Sequence, residues 1–285
     1  MILGGSASLD LANKIADELG QPLAEIKHKK FPDGEIYVKL EQETLDDDVI
    51  IVQSTHFPQY ENFAELLFLA ELAKEYGAKR IRAVVPYLTN AMQDKVFEHG
   101  EIIAVKAIAN ALKSAGVEKI LTIDCHFYRK EGEFDAFGIP AYNLGAAPIL
   151  LDHVSEKFKD LVVITPDAGS AEQAKQVGGQ NLKKTRISSF EVEIEGLPNV
   201  SGKNVLILDD LIETGGTVRK AIANVRDSDA SKIIVAATHA AFCNEAYEKI
   251  KPLADYVVTT DTIPHESSNV SVAKKIADTI NSKKW

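Results

Sequence analysis

Cysteine is scarce in this chain. Only Cys125 and Cys243 occur among 285 residues, too few for a disulfide framework and wrongly spaced for zinc, so a reducing, cytoplasmic setting is expected. Long apolar runs are also missing. No stretch approaches eighteen uninterrupted apolar residues, and no membrane span is expected. The opening "MILGGSASLD" has no basic flank and no long apolar core, so no secretory leader is expected. Positive charge is in deficit, with 32 Lys and Arg against 42 Asp and Glu, net −10. That excludes a general nucleic-acid surface, while a local basic site for a small anion stays open. Short-period repeats and low-complexity segments are absent.

What is present is a succession of short apolar runs, each closed by polar residues or glycine. They include "MILGGS", "DVIIVQST", "RIRAVVPYL", "KILTIDCH", "LVVITPDAG", "NVLILDD", "KIIVAATHA" and "YVVTTDT". Runs this apolar, without alternation, are expected to be strands buried on both faces. Helical patterns lie between them. "NFAELLFLAELAKEYG" places Phe63, Leu66, Leu67, Ala70 and Ala73 on one face and stops at Gly77; "GEIIAVKAIANALKSAG" stops at Gly116, and "SLDLANKIADELG" runs from Ser8 to Gly20. The alternation predicts an α/β chain with mainly parallel sheets. The irregular segment 126–148 argues against one barrel. Two similar domains are expected, each an open, mainly parallel sheet flanked by helices: 1–141 and 142–285. Two segments alternate by twos instead. "KKFPDGEIYVKLEQE", with a turn at Pro32-Asp33-Gly34, predicts a hairpin or flap. "QNLKKTRISSFEVEIEGLPNVSGK" predicts a second flap, basic near its start at Lys183, Lys184 and Arg186.

In open α/β sheets ligands bind beyond the carboxyl ends of the strands. Asp124, His126, Asp167, Asp209 and Asp210 all fall there. One such aspartate would be read as a turn or cap residue. Five ionisable groups at three strand ends are read as a site. Thr214-Gly215-Gly216-Thr217 follows the paired aspartates and opens a helix. Glycines let backbone N–H groups approach an oxyanion, the hydroxyls add donors, and the helix start adds a positive field. The bland reading is a plain strand–turn–helix connection. Carboxylates beside the cradle suit sugar hydroxyls or Mg²⁺ better than bare phosphate. "GLPNVSGKN" (196–204) imitates a P-loop, but its spacing is wrong and it precedes a strand, so it is read as a turn. Cys125, inside an apolar run, is read as packed.

"VLILDDLIETGGT" resembles the phosphoribosyl diphosphate (PRPP) motif of type I phosphoribosyltransferases and PRPP synthetases. The resemblance implies that Asp209 and Asp210 hold the ribose hydroxyls and that Glu213, Thr214, Gly215, Gly216 and Thr217 hold the 5-phosphate. Other stretches single out the synthetases. "FPDGEIYV" resembles their ATP flap, "PYLTNAMQDK" their ATP loop and "TIDCH" the strand end with a metal-binding histidine. "TPDAG" resembles a metal and ribose-phosphate loop, and "KTR" the catalytic flap. The order matches over nearly the whole chain. The implied activity is ribose-phosphate diphosphokinase: ATP and ribose 5-phosphate give PRPP and AMP. The implied roles are Phe31, Asp33, Glu35, Gln93 and Asp94 for ATP, His126 and Asp167 for Mg²⁺, and Lys184 and Arg186 for catalysis. Asp124 and His99 are further candidates. A homo-oligomer is implied, with adenine held across a subunit interface.

The chain departs from the family in the ATP loop. Relatives carry Tyr-Ala-Arg-Gln-Asp where this chain has Asn90-Ala91-Met92-Gln93-Asp94. The absent arginine would reach ATP phosphates. Two alternatives follow: a synthetase-like regulatory subunit of low activity, or a phosphoribosyltransferase that consumes PRPP. Length and the ATP-loop and flap matches disfavour the second.

Overall fold

The apolar runs become parallel strands, and the alternating segments become hairpins. A computed structural model describes the chain except residues 167–169, 187–191, 196 and 283–284; for 183–186 and 192–195 it describes the backbone alone. The chain divides into two units. The first holds Met1–Leu144, Thr262–Pro264 and Ser271–Trp285, the second Gly145–Asp261 and His265–Val270.

The first unit begins with β1 (Ile2–Gly4) and α1 (Leu9–Leu19), then the antiparallel hairpin β2 (Ile26–Lys30) and β3 (Ile36–Leu40). β4 (Asp48–Val52), α2 (Gln59–Glu75), β5 (Arg80–Val84), α3 (Ala104–Ser114), β6 (Val117–Ile123), β7 (Gly132–Asp135) and β8 (Pro140–Leu144) follow. The sheet order is β1-β4-β5-β6-β8-β7, parallel except for β7 against β8. Val49 and Ile51 of β4 and Ile81 and Ala83 of β5 pack with Leu66 and Leu69 of α2 and Val105 and Leu112 of α3. Full burial of each large aliphatic side chain is worth about 1.5–3 kcal/mol. α1 ends where expected, at Gly20 in the left-handed region (φ 61°). Ser8 sits at its start without capping it; its hydroxyl accepts the Ser54 N–H instead, at 2.8 Å.

The second unit holds α4 (Ala147–Lys157), β9 (Leu161–Thr165), α5 (Ala171–Gln176), β10 (Gln180–Asn181), the hairpin β11 (Lys183–Arg186) and β12 (Val192–Glu195), and β13 (Asn204–Ile212). α6 (Gly216–Asp227), β14 (Lys232–Ala240), α7 (Ala246–Ile250), β15 (Tyr256–Thr260) and β16 (Ser268–Val270) complete it. Its sheet, β10-β9-β13-β14-β15-β16, is wholly parallel. β13 shows why both faces are apolar. Val205 and Ile207 join Val218, Ala221, Ile222 and Val225 of α6, while Leu206 and Leu208 join Ala147, Leu150 and Val154 of α4. Successive residues of a strand point to opposite faces, so a strand covered twice must be apolar at every position.

Both sheets are open and mainly parallel, the architecture expected. The division differs in detail from 1–141 and 142–285. The chain leaves the first unit after Leu144 and returns to it with α8 (Ala273–Asn281), which packs on α1. The physical reason is the apolar stripe Ala273, Ile276, Ala277 and Ile280, which is buried.

Candidate active site

In the second unit, β13 does not stop at the acids. It runs through Asp209 and Asp210 to Ile212, because β14 goes on pairing with it: Asp209 opposite Ala237, Leu211 opposite His239, Ile212 opposite Ala240. On the other side, pairing with β9 ends at Ile207 opposite Ile164. The acids therefore stand on a strand flanked on one side only. Asp209 is buried, at 7% exposure, and Asp210 is half-buried. Oδ1 of Asp209 accepts the Asp210 N–H at 3.0 Å and the Ser170 hydroxyl. A buried carboxylate needs such donors to stay in place.

The turn after β13 is tied down by backbone. The Ile212 carbonyl accepts Phe242 N–H at 2.9 Å, and the Glu213 carbonyl accepts Cys243 N–H at 2.8 Å. Gly215 has φ 69°, and a Cβ there would lie 2.8 Å from Cδ1 of Ile250 on α7. Both facts demand glycine. Gly216 opens the twelve-residue α6, and a Cβ on it would meet nothing closer than Thr214 Oγ1 at 3.9 Å. The start of α6 is thus open to an anion, with Glu213 and Thr214 exposed and Thr217 half-buried. Burial, and then the charge of Glu213, pushes the Cys243 thiol above its ordinary range.

In the first unit, Asp124 follows the end of β6; it is buried, at φ 40°, and its N–H donates to the Leu144 carbonyl at 2.8 Å. Cys125 is packed, as expected, and burial pushes its thiol up to about 12. Its N–H donates to Oδ1 of Asn143, whose amide donates to the carbonyls of Tyr128 and Lys130 at 2.9 Å. Asn143 so pins the loop that carries His126. His126 is half-buried. Nε of Arg129 donates to the His126 carbonyl, and its Nη2 lies 3.0 Å from Nε2 of the His126 ring. A guanidinium only donates, which assigns Nε2 as acceptor and the ring proton to Nδ1. Neither Asn143 nor Arg129 stands out in the sequence.

The loop 90–94 is a turn. Asn90 has φ 60°, and Gln93 N–H donates to the Asn90 carbonyl at 3.0 Å. Gln93 and Asp94 are half-buried and Met92 is 52% exposed. The Gln93 carbonyl accepts the Val105 N–H at 3.4 Å, so the loop is tied to the start of α3. Nζ of Lys95 sits 5.2 Å over the Phe97 ring, and His99 is exposed. On the β2–β3 hairpin, Phe31, Asp33 and Glu35 are exposed at the tip. Asp33 accepts the Glu35 N–H at 3.2 Å, a turn role. Nζ of Lys29 covers the Phe31 ring at 4.5 Å. The hairpin is held to α2 by His28, 2.7 Å from Glu65, and Lys30, paired with Glu61.

Asp167 lies outside the described residues. Lys184 and Arg186 lie on β11, opposite Ile194 and Val192, and their side chains lie outside what is described. Among the described residues no group of three or more His, Cys, Asp or Glu is placed to hold a metal ion. Among them, too, no helix is long and apolar enough to cross a membrane.

The family model for the N-terminal domain of ribose phosphate pyrophosphokinase matches residues 1–116, and that for the phosphoribosyl transferase domain matches 137–275. The ribose-phosphate pyrophosphokinase of Methanobrevibacter smithii is 36% identical over 98% of this chain and 99% of its own. That of Methanothermobacter thermautotrophicus is 37% identical over the same shares. The crystal structure of phosphoribosylpyrophosphate synthetase from Mycobacterium smegmatis superposes with a TM-score of 0.84 at 28% identity, covering 99% of this chain and 97% of that one.

Proposed function

The chain belongs to the ribose-phosphate pyrophosphokinase family, and on that premise we propose how its residues divide the work. The reaction is diphosphoryl transfer from ATP to the 1-hydroxyl of ribose 5-phosphate, giving PRPP and AMP. The hydroxyl oxygen bonds to the β-phosphorus and loses its proton. The bond from that phosphorus to the α,β-bridging oxygen breaks, and AMP leaves with the oxygen. Such chemistry is chiefly positioning and charge neutralisation.

One observation carries the sugar site: two carboxylates on β13 stand directly before an open helix start. Asp209 and Asp210 accept the ribose hydroxyls, and Glu213 to Thr217 with the α6 amides take the 5-phosphate. Phe31, Asp33, Glu35, Gln93 and Asp94 serve ATP. Lys184 and Arg186 neutralise the charge that develops in transfer. Exposure of the hairpin tip supports a homo-oligomer in which a neighbouring subunit meets Phe31. Two free thiols support a cytoplasmic location.

Mg²⁺ is the cofactor the family implies. The described donors do not make a cage for it: one imidazole, its Nε2 already facing a guanidinium. An ion held chiefly by ATP phosphate oxygens would need few protein donors; His126 would be one, and Asp167, outside the described residues, is the second that the family reading assigns to it. When bound, Mg²⁺ supplies neutralisation of triphosphate charge.

Met92 offers no donor to phosphate, which favours low activity or a regulatory role as the second reading. Purified protein with Mg²⁺, ATP and ribose 5-phosphate should release AMP and PRPP in equal amounts. If neither forms, the regulatory reading replaces the catalytic one.

A further inference from the structure

The strand that carries the acids loses its β9 neighbour after Ile207, two residues before Asp209. Ser170 fills that gap. It stands at the start of α5, beyond the end of β9, and its hydroxyl donates to Oδ1 of Asp209 across 39 residues of sequence. Ser170 is 1% exposed and Asp209 7%, so water does not substitute for this contact. The same Oδ1 accepts the Asp210 N–H at 3.0 Å. Two donors on one oxygen, one from the backbone of β13 and one from α5, fix the plane of the carboxylate. They thereby fix the direction in which Oδ2 points. A carboxylate that must meet a sugar hydroxyl gains by being set before the sugar arrives, because no rotor is then lost on binding.

We propose that Ser170 is a positioning residue for ribose 5-phosphate, acting through Asp209. The serine hydroxyl does not cap α5, which leaves it to the acid. No part of the sequence motif around the acids reports it. The inference rests on the reading of Asp209 and Asp210 as the ribose acceptors.

The test is calorimetric titration of ribose 5-phosphate into the protein, with Mg²⁺ and α,β-methylene ATP present so that no transfer occurs. Ser170→Ala should weaken ribose 5-phosphate binding about five- to fiftyfold and leave the affinity for the ATP analogue within about twofold. In an Asp209→Asn background the same change should cost less than about twofold, since the group it positions has changed. Equal losses in both backgrounds, or no loss in the first, overturn the proposal. Ser170→Gly removes the same hydroxyl and is tolerated at a helix start, so it reads the contact if the alanine variant does not fold. Failure of both to fold shows a structural serine and also overturns it. A parent that binds no ribose 5-phosphate overturns the sugar-site reading itself; a parent that binds, with Ser170→Ala equal to it, overturns this proposal alone.

Discussion

At the scale of the residue, the two neighbouring aspartates are not equivalent. Asp209 is buried and its Oδ1 is engaged by Ser170 and by backbone, whereas Asp210 is half-buried. Asp210→Asn should therefore weaken ribose 5-phosphate binding by about 1.5–3 kcal/mol, the worth of a charged acceptor, while ATP binding changes little. Calorimetry with each ligand checks this, and equal weakening of both would remove Asp210 from the sugar site. Gln173 makes a different case. It is 4% exposed, and neither amide atom meets a hydrogen-bond partner among the described residues. A buried unsatisfied amide costs about 1–3 kcal/mol. Gln173→Met keeps the volume and removes the polar atoms, so it should raise the urea midpoint by a corresponding amount. A lowered midpoint would mean that the amide has a partner in solution.

At the scale of the element, the β2–β3 hairpin matters because it carries Phe31 and depends on α2 for its place. Glu65 is the anchor. It meets His28 at 2.7 Å and accepts the Ser6 N–H at 2.8 Å, the Ser6 hydroxyl and Gln53 Nε2 at 3.2 Å. Burial works against its ionisation, yet the contacts with His28 and Ser6 outweigh that and hold its carboxyl below the usual glutamate range. A carboxyl lowered in the folded state adds stability above its ordinary value, near 4.5, and loses it as pH falls through the lower folded value. Glu65→Gln should therefore destabilise the protein at pH 7, by about 1–3 kcal/mol, and flatten the loss of stability below about pH 4.5. Urea unfolding of both proteins from pH 3 to 7 gives the answer; parallel curves would show that Glu65 does not titrate differently on folding.

At the scale of the whole molecule, activity turns on how ATP is held without the family's loop arginine. Met92 is 52% exposed in a loop tied to the start of α3 through the Gln93 carbonyl. Lys95 is the cation nearest to it in sequence, and its Nζ rests on Phe97. Arginine would add planar, bidentate donors to phosphate. Met92→Arg should raise kcat/KM for ATP about tenfold or more, equal to about 1.4 kcal/mol per decade. Steady-state kinetics at saturating ribose 5-phosphate decides. An unchanged kcat/KM in a fully active parent would show that ATP phosphates do not reach position 92.

The sequence by itself determined what is local. The apolar runs 49–52, 83–85 and 205–208 specified strands covered on both faces, and every side chain along them is buried. Pro32-Asp33-Gly34 specified a turn, with Gly34 at φ 97°. The acids and glycines of 209–217 specified a polar strand end, a glycine turn and a helix start, because residue type and spacing suffice for that. Tertiary structure alone decided what joins distant residues. Ser170 on Asp209, Asn143 on Cys125, His28 on Glu65 and α8 on α1 each link segments that no periodicity relates. Strand order decided that β13 would continue past its acids, since β14 kept pairing where β9 had ended. A hydrogen bond or an apolar contact stabilises by proximity, and proximity across tens of residues is set only when the sheets have formed and the helices have packed on them.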